Sequence, residues 1–291
     1  MKKILIVGEG SFIGGSIQRW LLQNPIDYKV TTITSKFNLW KEVDFTRYDV
    51  VINVAGIAHI KIKPKMEPLF YKVNRDLAVN LAKKAKAEGV RQYIYLSSMN
   101  VYGDINEEID VSTNPSPENF YGNSKLQADL LLQELNETEF KVISIRPPVV
   151  YGRGCKGNYK LLEKIARWSV VFPDYKNIKS MIYIDNLCEF IKLIIDNEEC
   201  GVYHPQNKDY ISTTELVKLI SKEFGKRIYL VKWLNPLVSL LSKKLRIVNR
   251  AFGDDYYAKV ISDYQDYSYC LFNNKESIKA MYSNEENRQG F

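Results

Sequence analysis

The feature that most constrains the fold is a glycine-rich turn close to the N-terminus. A short apolar run, from Ile4 to Val7, ends at Gly8, and a helical pattern follows from about Ser16. A strand, a tight glycine turn and a helix in this order let backbone N–H groups and the positive helix end approach a pyrophosphate. We therefore predict a dinucleotide-binding α/β fold whose turn binds the cofactor through Gly8, Gly10, Ser11, Phe12, Ile13 and Gly14.

The first half of the chain alternates predicted strands and helices at the spacing of βαβ units, which indicates a parallel sheet. The strands are predicted at residues 3–7, 28–34, 50–54, 92–97 and 141–146. We predict a doubly wound, parallel-sheet Rossmann fold with a smaller C-terminal α/β substrate-binding domain. Residues 1–146 would form the NAD(P)-binding domain and residues 147–291 mainly the substrate domain, with segments such as 181–205 returning to the first domain.

Helices are predicted at residues 70–88, 122–136 and 213–224, because apolar side chains recur there at helical spacing. The region 233–252 mixes Leu and Val with Lys and Arg. That composition suits either an amphipathic helix lying on a membrane surface or a helix of the substrate domain. Pro236 and the flanking pattern of a globular domain favour the second interpretation.

Composition narrows the functional classes. Hydrophobic residues make up 45% of the chain, yet no apolar run approaches the ~20 residues of a membrane span, so we expect no stable membrane insertion. Four scattered cysteines without a C-x-x-C pair predict free thiols in the cytoplasm, and only two histidines argue against a metal site. The net charge is +7, but Lys and Arg are dispersed and no nucleic-acid module is recognisable. We expect small anionic ligands instead of nucleic acid.

The end of the second strand bears on the choice of cofactor. Folds that prefer NAD usually carry an acidic residue there, which binds the ribose hydroxyls. In this chain the strand ends Ile33-Thr34-Ser35-Lys36, and no acidic residue occurs between Asp27 and Glu42. The hydroxyls and the lysine suit a 2′-phosphate, so NADP(H) is favoured over NAD(H), with Ser35 and Lys36 as its contacts.

A tyrosine and a lysine four residues apart predict the catalytic centre. Tyr121 and Lys125 fall on one face at the start of a predicted helix. An ammonium group close to a phenol lowers its pKa, so that Tyr121 could exchange a proton with a carbonyl oxygen near neutral pH. The segment that follows the fourth strand, with Ser98 in Ser-Ser-Met-Asn-Val-Tyr-Gly, places hydroxyls at the carboxyl edge of the sheet, where ligands bind in open α/β folds.

These motifs together resemble the extended short-chain dehydrogenases/reductases of the NAD-dependent epimerase/dehydratase family. The likeness runs from Lys3 to about His204 and includes the glycine turn, although Ser11 stands at the family's middle glycine position. It implies that Ser98 hydrogen-bonds the reacting sugar oxygen, that Tyr121 transfers its proton, and that Lys125 binds the nicotinamide ribose. Other matching segments that the likeness rests on, or that would contact the cofactor, contain Val54, Ala55, Gly56, Asn74, Arg146, Pro148 and Asp185.

Within that family the resemblance favours a reductase. Sugar 4,6-dehydratases carry Asp-Glu directly after the catalytic Ser or Thr, whereas this chain has Met99-Asn100, which cannot exchange a proton usefully. Within the family, the sequence resembles bacterial enzymes that reduce UDP-4-keto-6-deoxy-N-acetylhexosamines for capsule and O-antigen synthesis. This implies an enzyme that acts after a UDP-N-acetylglucosamine 4,6-dehydratase and makes UDP-N-acetylfucosamine or UDP-N-acetylquinovosamine. An NAD-dependent UDP-sugar 4-epimerase and a non-catalytic NADP-binding regulatory protein remain as alternatives.

The substrate contacts are implied by the resemblance and, for the arginines, by their charge. Arg246 and Arg250 could bind the diphosphate, because a guanidinium group can donate two parallel hydrogen bonds to phosphate oxygens. Either arginine could equally be a surface charge. His59 could face the pocket or be structural, and His204 is interpreted as structural. A homodimer is expected because family members often pair through two helices. Besides Ser98 and Tyr121, the predicted substrate-binding residues are Met99, Asn100, Asn158, Lys179, Arg246 and Arg250.

Overall fold

A computed structural model describes residues 1–58, 63–105, 107–155 and 157–283. His59 lies outside the described residues, and so does the side chain of Asn158. The strands are β1 (Lys2–Val7), β2 (Tyr28–Ile33), β3 (Val50–Asn53), β4 (Gln92–Leu96), β5 (Glu108–Ile109), β6 (Lys141–Ile145), β7 (Val149–Tyr151), β8 (Val171–Pro173), β9 (Met181–Tyr183), β10 (Gly201–Tyr203), β11 (Tyr229–Val231) and β12 (Tyr256–Tyr257).

The helices cover both faces of the main sheet and build the C-terminal part. They are α1 (Phe12–Leu21), α2 (Glu67–Phe70), α3 (Leu77–Ala87), α4 (Phe120–Gln133), α5 (Asn158–Trp168), α6 (Ile184–Asp196), α7 (Thr213–Glu223), α8 (Asn235–Lys244), α9 (Arg246–Phe252), α10 (Lys259–Ser262) and α11 (Asn274–Tyr282). A π-helical turn, Tyr71–Asp76, joins α2 to α3, and a 3₁₀ turn, Met99–Tyr102, follows β4. Within the described ranges, no helix combines the length and apolar character needed to cross a bilayer.

The central sheet has six parallel strands in the order β10-β6-β4-β3-β1-β2. Alternate residues of each strand face two different cores: Ile4 and Ile6 belong to one cluster, and Leu5 and Val7 to the other. Both faces of the sheet are therefore covered, which explains the near-continuous apolar strands. The predicted doubly wound parallel fold is confirmed.

Several predicted element boundaries were wrong by a few residues. Four strands end one residue earlier than expected. For three of them the next residue still hydrogen-bonds a neighbouring strand, as Val54 N–H does to the Val7 carbonyl at 3.0 Å. Helix α1 begins at Phe12 and not near Ser16, because the Ser11 hydroxyl caps it by accepting the Gly14 N–H at 3.0 Å. The single helix predicted at 70–88 is interrupted by the π-helical turn.

The chain after residue 147 contributes to two places. Strand β10 pairs with β6 at the edge of the central sheet, and α6 packs beside α1, where the Trp20 indole donates to Glu189 at 2.9 Å. A second group of elements lies apart from that sheet, with β11 paired to β8 and β12 paired to β5. The region predicted as one amphipathic stretch, 233–252, forms two helices that break at Leu245.

The parallel register brings the carboxyl ends of five strands to one edge. Val7 lies opposite Ile33 and Asn53, and Leu96 lies opposite Ile145. The segments that follow these strands therefore meet: the glycine turn after β1, the segment after β3 and the serine pair after β4. This edge is where ligands bind in open α/β sheets, and it carries the residues predicted from sequence.

Candidate active site

The glycine turn packs directly against the chain that follows β3. Gly8 has a φ of +130°, and a side-chain carbon there would lie 2.8 Å from Val54 Cγ2 and 3.0 Å from the Ala55 nitrogen. A carbon on Gly14 would lie 2.6 Å from the Ser11 hydroxyl oxygen and 2.9 Å from Val54 Cγ2. Any larger residue at either position would force the turn away from the sheet. These two glycines therefore allow the turn to pack closely on the chain that follows β3.

The upper side of the same turn is open. Gly10 has a φ of +73°, and a carbon added there would meet nothing within 4 Å. The Ser11 side chain satisfies the Gly14 N–H, while the N–H groups of Phe12 and Ile13 belong to the first turn of α1, which has no intrahelical partners. The turn is closely packed on the side that faces the sheet, is open on the other side and leads into a helix N-terminus. This combination fits the pyrophosphate of a dinucleotide.

The end of β2 lies beside this turn. The N–H groups of Gly8 and Glu9 both donate to the Ile33 carbonyl, at 2.9 and 3.0 Å. Ser35 then precedes a 3₁₀ turn, Lys36 is exposed, and the Lys36 N–H donates to the Thr34 hydroxyl at 3.3 Å. Hydroxyl groups and an ammonium group, and no carboxylate, are therefore available at the position that contacts the adenosine ribose in this type of fold.

The serine after β4 is fixed by its own local turn. Ser98 is buried, and its hydroxyl accepts the backbone N–H of Asn100 at 3.2 Å and the Asn100 side-chain amide at 3.1 Å. Because the backbone N–H and the side-chain amide of Asn100 both donate to this oxygen, the Ser98 hydroxyl proton remains available for an acceptor in the site. Asn100 thus orients the serine hydroxyl, and Met99 packs against the small apolar cluster beside it.

Helix α4 brings Tyr121 to that serine through a close backbone contact. A side-chain carbon on Gly122 would clash with the Asn100 carbonyl oxygen and would lie 3.0 Å from Pro117. Asn119 caps the helix by accepting the Gly122 N–H at 3.0 Å, so the first turn of α4 is held against the serine turn. The half-buried Tyr121 ring lies edge-on to Phe70, with centroids 6.5 Å apart. Sequence reasoning did not single out Gly122, whose role depends on a contact across the fold.

Lys125 is buried and has a defined partner. Its ammonium group donates to the Leu96 carbonyl at 2.7 Å and lies 4.6 Å from the centre of the Tyr95 ring. A carbon on Gly56 would lie 3.2 Å from the Lys125 nitrogen and 3.2 Å from the Asn74 side-chain oxygen. Because Gly56 has no side chain, the segment after β3 can approach Lys125 closely.

Asn74 holds that segment in place. Its side-chain oxygen accepts the Ile57 N–H at 2.8 Å, and its amide donates to the Ser124 hydroxyl at 3.1 Å. It lies in the π-helical turn, which widens the helix by one residue at this point, and such turns are frequent at functional sites. The matching segments quoted from the sequence thus meet one another here: the chain after β3, the helix that contains Asn74, and α4.

The ionisation states differ from the sequence-based expectation. Burial raises the pKa of Tyr121 above its ordinary value, and the hydrogen bond from Ser98 lowers it. The nearby lysine was expected to lower that pKa, but burial raises it, and the opposing contribution comes from Ser98. The pKa of Lys125 is itself lowered, to about 8, because burial disfavours the ammonium form, while the charge of Asp129 acts in the opposite direction.

A buried ion pair beneath the site was missed by sequence reasoning. Asp129 follows Lys125 by one helical turn, and its carboxylate accepts the Arg146 guanidinium at 2.9 Å and the Ser97 hydroxyl at 2.9 Å. Both members of the pair are almost fully buried. Burial raises the pKa of Asp129 and the charge of Arg146 opposes that rise. The signal was available, because Tyr121, Lys125 and Asp129 share the i, i+4, i+8 spacing of one helical face.

Arg146 extends the polar cluster to the end of β10. It donates to the Tyr102 hydroxyl at 2.8 Å, and that hydroxyl pairs with His204 Nε2, also at 2.8 Å. Burial and the charge of Arg146 lower the pKa of His204 to about 3, so the imidazole is neutral. The Tyr257 hydroxyl donates to the Arg146 carbonyl at 2.8 Å and ties the C-terminal part to the same cluster.

The predicted substrate residues fall in different places. Arg246 in α9 donates to Asp104 at 2.7 Å and to Glu118 at 2.9 Å, and Arg250 lies 3.4 Å from Asp104. These carboxylates belong to the segments that flank the serine turn and precede α4, so both arginines reach the rim of the site as members of ion pairs.

The remaining predicted contacts are more scattered. The ammonium group of Lys179 pairs with Asp255 at 3.0 Å, next to the chain that leads into β12. Asn158 begins helix α5, directly after Gly157 with its φ of +92°. Pro148 is buried between β6 and β7, and the neighbouring Pro147 carbonyl accepts the Met99 N–H at 2.9 Å. Among the described residues, no cluster of three or more His, Cys, Asp or Glu could hold a metal ion.

The chain is similar in sequence and in fold to known nucleotide-sugar enzymes. A UDP-glucose 4-epimerase from Vibrio cholerae is 30% identical over 283 residues, which cover 87% of this chain and 86% of that protein. The fold matches the UDP-glucuronic acid 4-epimerase from Bacillus cereus, solved with NAD, at a TM-score of 0.75 and 18% identity over 98% of this chain and 99% of the other.

A second solved structure is a reductase. The dTDP-4-dehydrorhamnose reductase from Bacillus anthracis, solved with NADP, matches at a TM-score of 0.64 and 25% identity over 80% of this chain and 84% of the other. Residues 4–204 match the family described as NAD dependent epimerase/dehydratase, and this range contains the glycine turn, Ser98, Tyr121 and Lys125. The chain therefore belongs to the NAD dependent epimerase/dehydratase family, whose members act on nucleotide sugars with a nicotinamide cofactor.

Proposed function

We propose that this protein is an NADPH-dependent reductase that converts the 4-keto group of a UDP-4-keto-6-deoxy-N-acetylhexosamine to an alcohol. The observation that carries the proposal is the end of β2, where Thr34, Ser35 and the exposed Lys36 offer hydroxyls and a positive charge and no carboxylate. Such an end accommodates a 2′-phosphate and lacks the acidic partner of the NAD ribose. A reductase releases its oxidised cofactor after each turnover, and NADPH is the form suited to that use.

The residues that would hold the dinucleotide are those of the open glycine turn and the segment after β3. Gly8, Gly10, Ser11, Phe12, Ile13 and Gly14 would surround the pyrophosphate, Ser35 and Lys36 the adenosine ribose, and Val54, Ala55, Gly56 and Pro148 the remainder. When bound, the nicotinamide supplies a hydride to a carbonyl carbon. Lys125 would bind the nicotinamide ribose, and the Leu96 carbonyl already holds its ammonium group at 2.7 Å.

Tyr121 and Ser98 would act on the substrate oxygen. As the ketone carbon is reduced, its oxygen gains negative charge, and Tyr121 transfers its phenolic proton to that oxygen to complete the alcohol. Ser98, whose oxygen already accepts two hydrogen bonds from Asn100, keeps its proton and donates a hydrogen bond to the same substrate oxygen, which stabilises the charge as it develops. The raised pKa of Tyr121 supports a tyrosine that carries its proton before the reaction, as a proton donor must.

The residues after Ser98 support reduction over dehydration. Elimination of water from a sugar needs an additional acid and base near the serine. Met99 packs into an apolar cluster, and the Asn100 amide is engaged with the Ser98 hydroxyl. Neither side chain carries a proton that it can transfer near neutral pH.

Substrate binding is assigned to the turn after Ser98 and to the C-terminal part. Met99 and Asn100 would contact the sugar, and Asn158 and Lys179 would orient it. Arg246 and Arg250 are proposed to bind the UDP diphosphate, for which they would exchange the carboxylates of Asp104 and Glu118, 2.7 to 3.4 Å away, for phosphate oxygens. Their exposure at the rim of the site makes that exchange accessible.

The cellular context follows from the chemistry. The ketone would be supplied by a UDP-N-acetylglucosamine 4,6-dehydratase, and the product, UDP-N-acetylfucosamine or UDP-N-acetylquinovosamine, would serve surface-polysaccharide synthesis. We place the enzyme in the cytoplasm, a setting supported by its four free cysteines. A homodimer is proposed, and it is supported by the exposed Leu130 and Leu131 of α4.

A second candidate is an NAD-dependent UDP-sugar 4-epimerase, which the Vibrio cholerae relative favours. The same Tyr121 would then remove a proton and return it without net reduction. A non-catalytic NADP-binding protein is the weaker alternative, because Ser98, Tyr121 and Lys125 retain the arrangement that chemistry requires.

The deciding experiment mixes purified protein with NADPH and enzymatically generated UDP-4-keto-6-deoxy-N-acetylglucosamine and follows the loss of NADPH absorbance. The reductase is supported if oxidation requires the ketone and is lost in Tyr121→Phe, and NMR of the product then gives its configuration. Interconversion of UDP-hexosamines by protein that retains NAD through purification would establish the epimerase instead. A Tyr121→Phe variant that retains its full effect in cells would favour the non-catalytic alternative.

A further inference from the structure

Helices α8 and α9, and the 3₁₀ turn Lys232–Leu234 before them, lie on the surface and contain few fully buried residues. Val238 is the only buried residue among the ten of α8, and none of the seven residues of α9 is buried. The exposed side chains include large apolar ones: Trp233 is 73% exposed, Leu240 53% and Ile247 59%. An amphipathic helix of a globular protein normally turns such residues toward its own core.

The charge of the protein is concentrated in the same segment. Residues 224–253 contain seven Lys and Arg and no Asp or Glu, whereas the whole chain has 41 basic and 34 acidic residues. Although Lys and Arg are spread along the sequence, this segment alone accounts for the entire formal net charge of +7. The rest of the sequence carries equal numbers of basic and acidic residues. Within the segment, Arg246 and Arg250 pair with the carboxylates of Asp104 and Glu118, so the other five basic side chains carry its positive charge.

Three apolar side chains and a lysine lie in a row along one side of this segment. Trp233, Leu237, Leu240 and Lys244 follow one another at intervals of three or four residues, which places them in one row. Leu237 is 50% exposed, and Lys243 and Lys244 lie exposed at the end of α8.

The row continues onto the two-stranded sheet that precedes α8. Strand β11 leads through a short 3₁₀ turn into α8, and its Tyr229 pairs in register with Val171 of β8. Tyr229 is 54% exposed, and the exposed Trp168 has the Lys226 ammonium 5.2 Å from its ring centre. We call this the basic apolar surface, comprising Trp168, Lys226, Tyr229, Trp233, Leu237, Leu240, Lys243, Lys244 and Ile247.

We propose that the basic apolar surface docks peripherally on an anionic phospholipid bilayer. Such a bilayer offers negative headgroups to lysines and an apolar layer to leucine and tryptophan side chains a few ångströms deeper. Nucleic acid would match the charge but would leave the exposed leucines and Trp233 without an apolar environment. The absence of acidic residues from 224–253 also distinguishes this surface from a protein interface of mixed charge.

The surface adjoins the candidate active site. Arg246, in the second of the two helices, pairs with Asp104 and Glu118 beside the serine turn and α4. Docking would therefore hold the rim of the site next to the membrane. The inference does not depend on the reductase reaction, because it rests on the exposure and charge of these helices alone.

The test is flotation of the full-length protein with vesicles. We expect binding to vesicles of phosphatidylglycerol and phosphatidylethanolamine, little binding to pure phosphatidylcholine, and weakening as salt is raised. Lys243→Glu with Lys244→Glu should reduce the partition coefficient at least tenfold, since each lysine near an anionic surface contributes about 1 kcal/mol. The matched control, Lys275→Glu with Lys279→Glu, reverses two exposed lysines of α11 and should leave binding within about twofold of wild type.

The apolar contribution has its own pair of variants. Leu237→Ser with Leu240→Ser should lower the partition coefficient by about tenfold, while Leu22→Ser, at a leucine 44% exposed at the end of α1, should not change it. Circular dichroism and thermal melting establish that each variant is folded, and Trp233→Ser replaces the leucine pair if that pair is not.

Three results would overturn the proposal. The first is an absence of binding to anionic vesicles at low salt. The second is an equal loss of binding for the α8 and α11 charge pairs, which would mean that only net charge matters. The third is a preference for duplex DNA over vesicles in competition, or a dimer that dissociates when Leu237 and Leu240 become serine, which would assign the surface to nucleic acid or to a second copy of the chain.

Discussion

Helices α4 and α8 both carry leucines and lysines, but the fold places them in opposite environments. In α4, Lys125 and Asp129 are buried and Leu130 is 58% exposed. In α8, the leucines and the lysines are exposed together, and Val238 alone is buried. The charges of α4 have partners in the carbonyl of Leu96 and in Arg146.

The difference shows what each helix contributes. A buried charge that is fixed by partners has one orientation, as a group that transfers or positions a proton requires. Exposed leucines and lysines are not held in one orientation by partners, and they suit binding to a fluid surface such as a lipid bilayer. Variants of the two helices should therefore affect different properties, and the following predictions test that separation.

The largest effect is expected for Tyr121→Phe. Removal of the phenolic proton should lower turnover of the 4-keto sugar by about 10²–10⁴-fold, because a positioned acid contributes that much. The midpoint of thermal unfolding should stay close to wild type, since the ring and its contact with Phe70 remain. Steady-state NADPH oxidation and calorimetry measure the two quantities. Unchanged turnover would show that Tyr121 of α4 takes no part in the reaction, and the comparison of α4 with α8 would then lose its basis.

Asp129→Asn should cause the largest loss of stability. The change leaves the Arg146 guanidinium buried beside a neutral amide, and removal of one partner of a buried pair costs about 3–5 kcal/mol. Urea unfolding measures the free energy of unfolding of this variant and of the double variant Asp129→Asn with Arg146→Met. The double variant should recover part of the loss, because no unpaired charge remains. A loss below about 1 kcal/mol in the single variant would show that this pair is not a structural element.

Lys125→Met should abolish turnover and yet stabilise the protein. The folded pKa of Lys125 is about 8, below its ordinary value of 10.5, so between these pH values the unfolded chain binds the proton and the folded chain does not. The stability of the wild type therefore rises with pH through this window, and below it the buried ammonium carries its full cost.

The size of that gain follows from the two pKa values. At pH 7 the variant should be more stable by about 1–2 kcal/mol, because about 1.4 kcal/mol per pKa unit is partly offset by the lost bond to Leu96. Unfolding curves at pH 7 and pH 10 measure this difference, which should shrink at the higher pH. A variant less stable than wild type at pH 7 would mean that the bond to Leu96 outweighs the burial of the charge.

The smallest effect concerns the exposed row of α8. Leu240→Ser should change the free energy of unfolding by no more than about 0.5 kcal/mol, as is usual for a surface substitution. The buried position chosen for comparison in α4 is Ala128, which is fully buried. Ala128→Ser should be the more destabilising of the two substitutions. Thermal melts of the two variants supply the comparison, and a larger loss for Leu240→Ser would show that α8 packs against the protein itself.

Much of the site could be predicted because its parts are local in sequence. The glycine turn, Ser98, Tyr121 and Lys125 each stand at a fixed offset from a strand or within one helical turn. The positions of Arg246, Arg250 and Lys179 could not be predicted in the same way. Their partners, Asp104, Glu118 and Asp255, lie 76 to 146 residues away in the chain.

The sequence by itself determined the parallel α/β fold and the family, and it predicted the serine, tyrosine and lysine of the candidate site, because strand periodicity and short motifs express local physical requirements. Only the tertiary structure decided that Gly122 must admit the Asn100 carbonyl, that Asp129 pairs with Arg146, and that burial dominates the pKa of Tyr121. Close approach, ion pairing and burial are relations between segments that are distant in the chain. Their strength depends on which groups the completed fold removes from water.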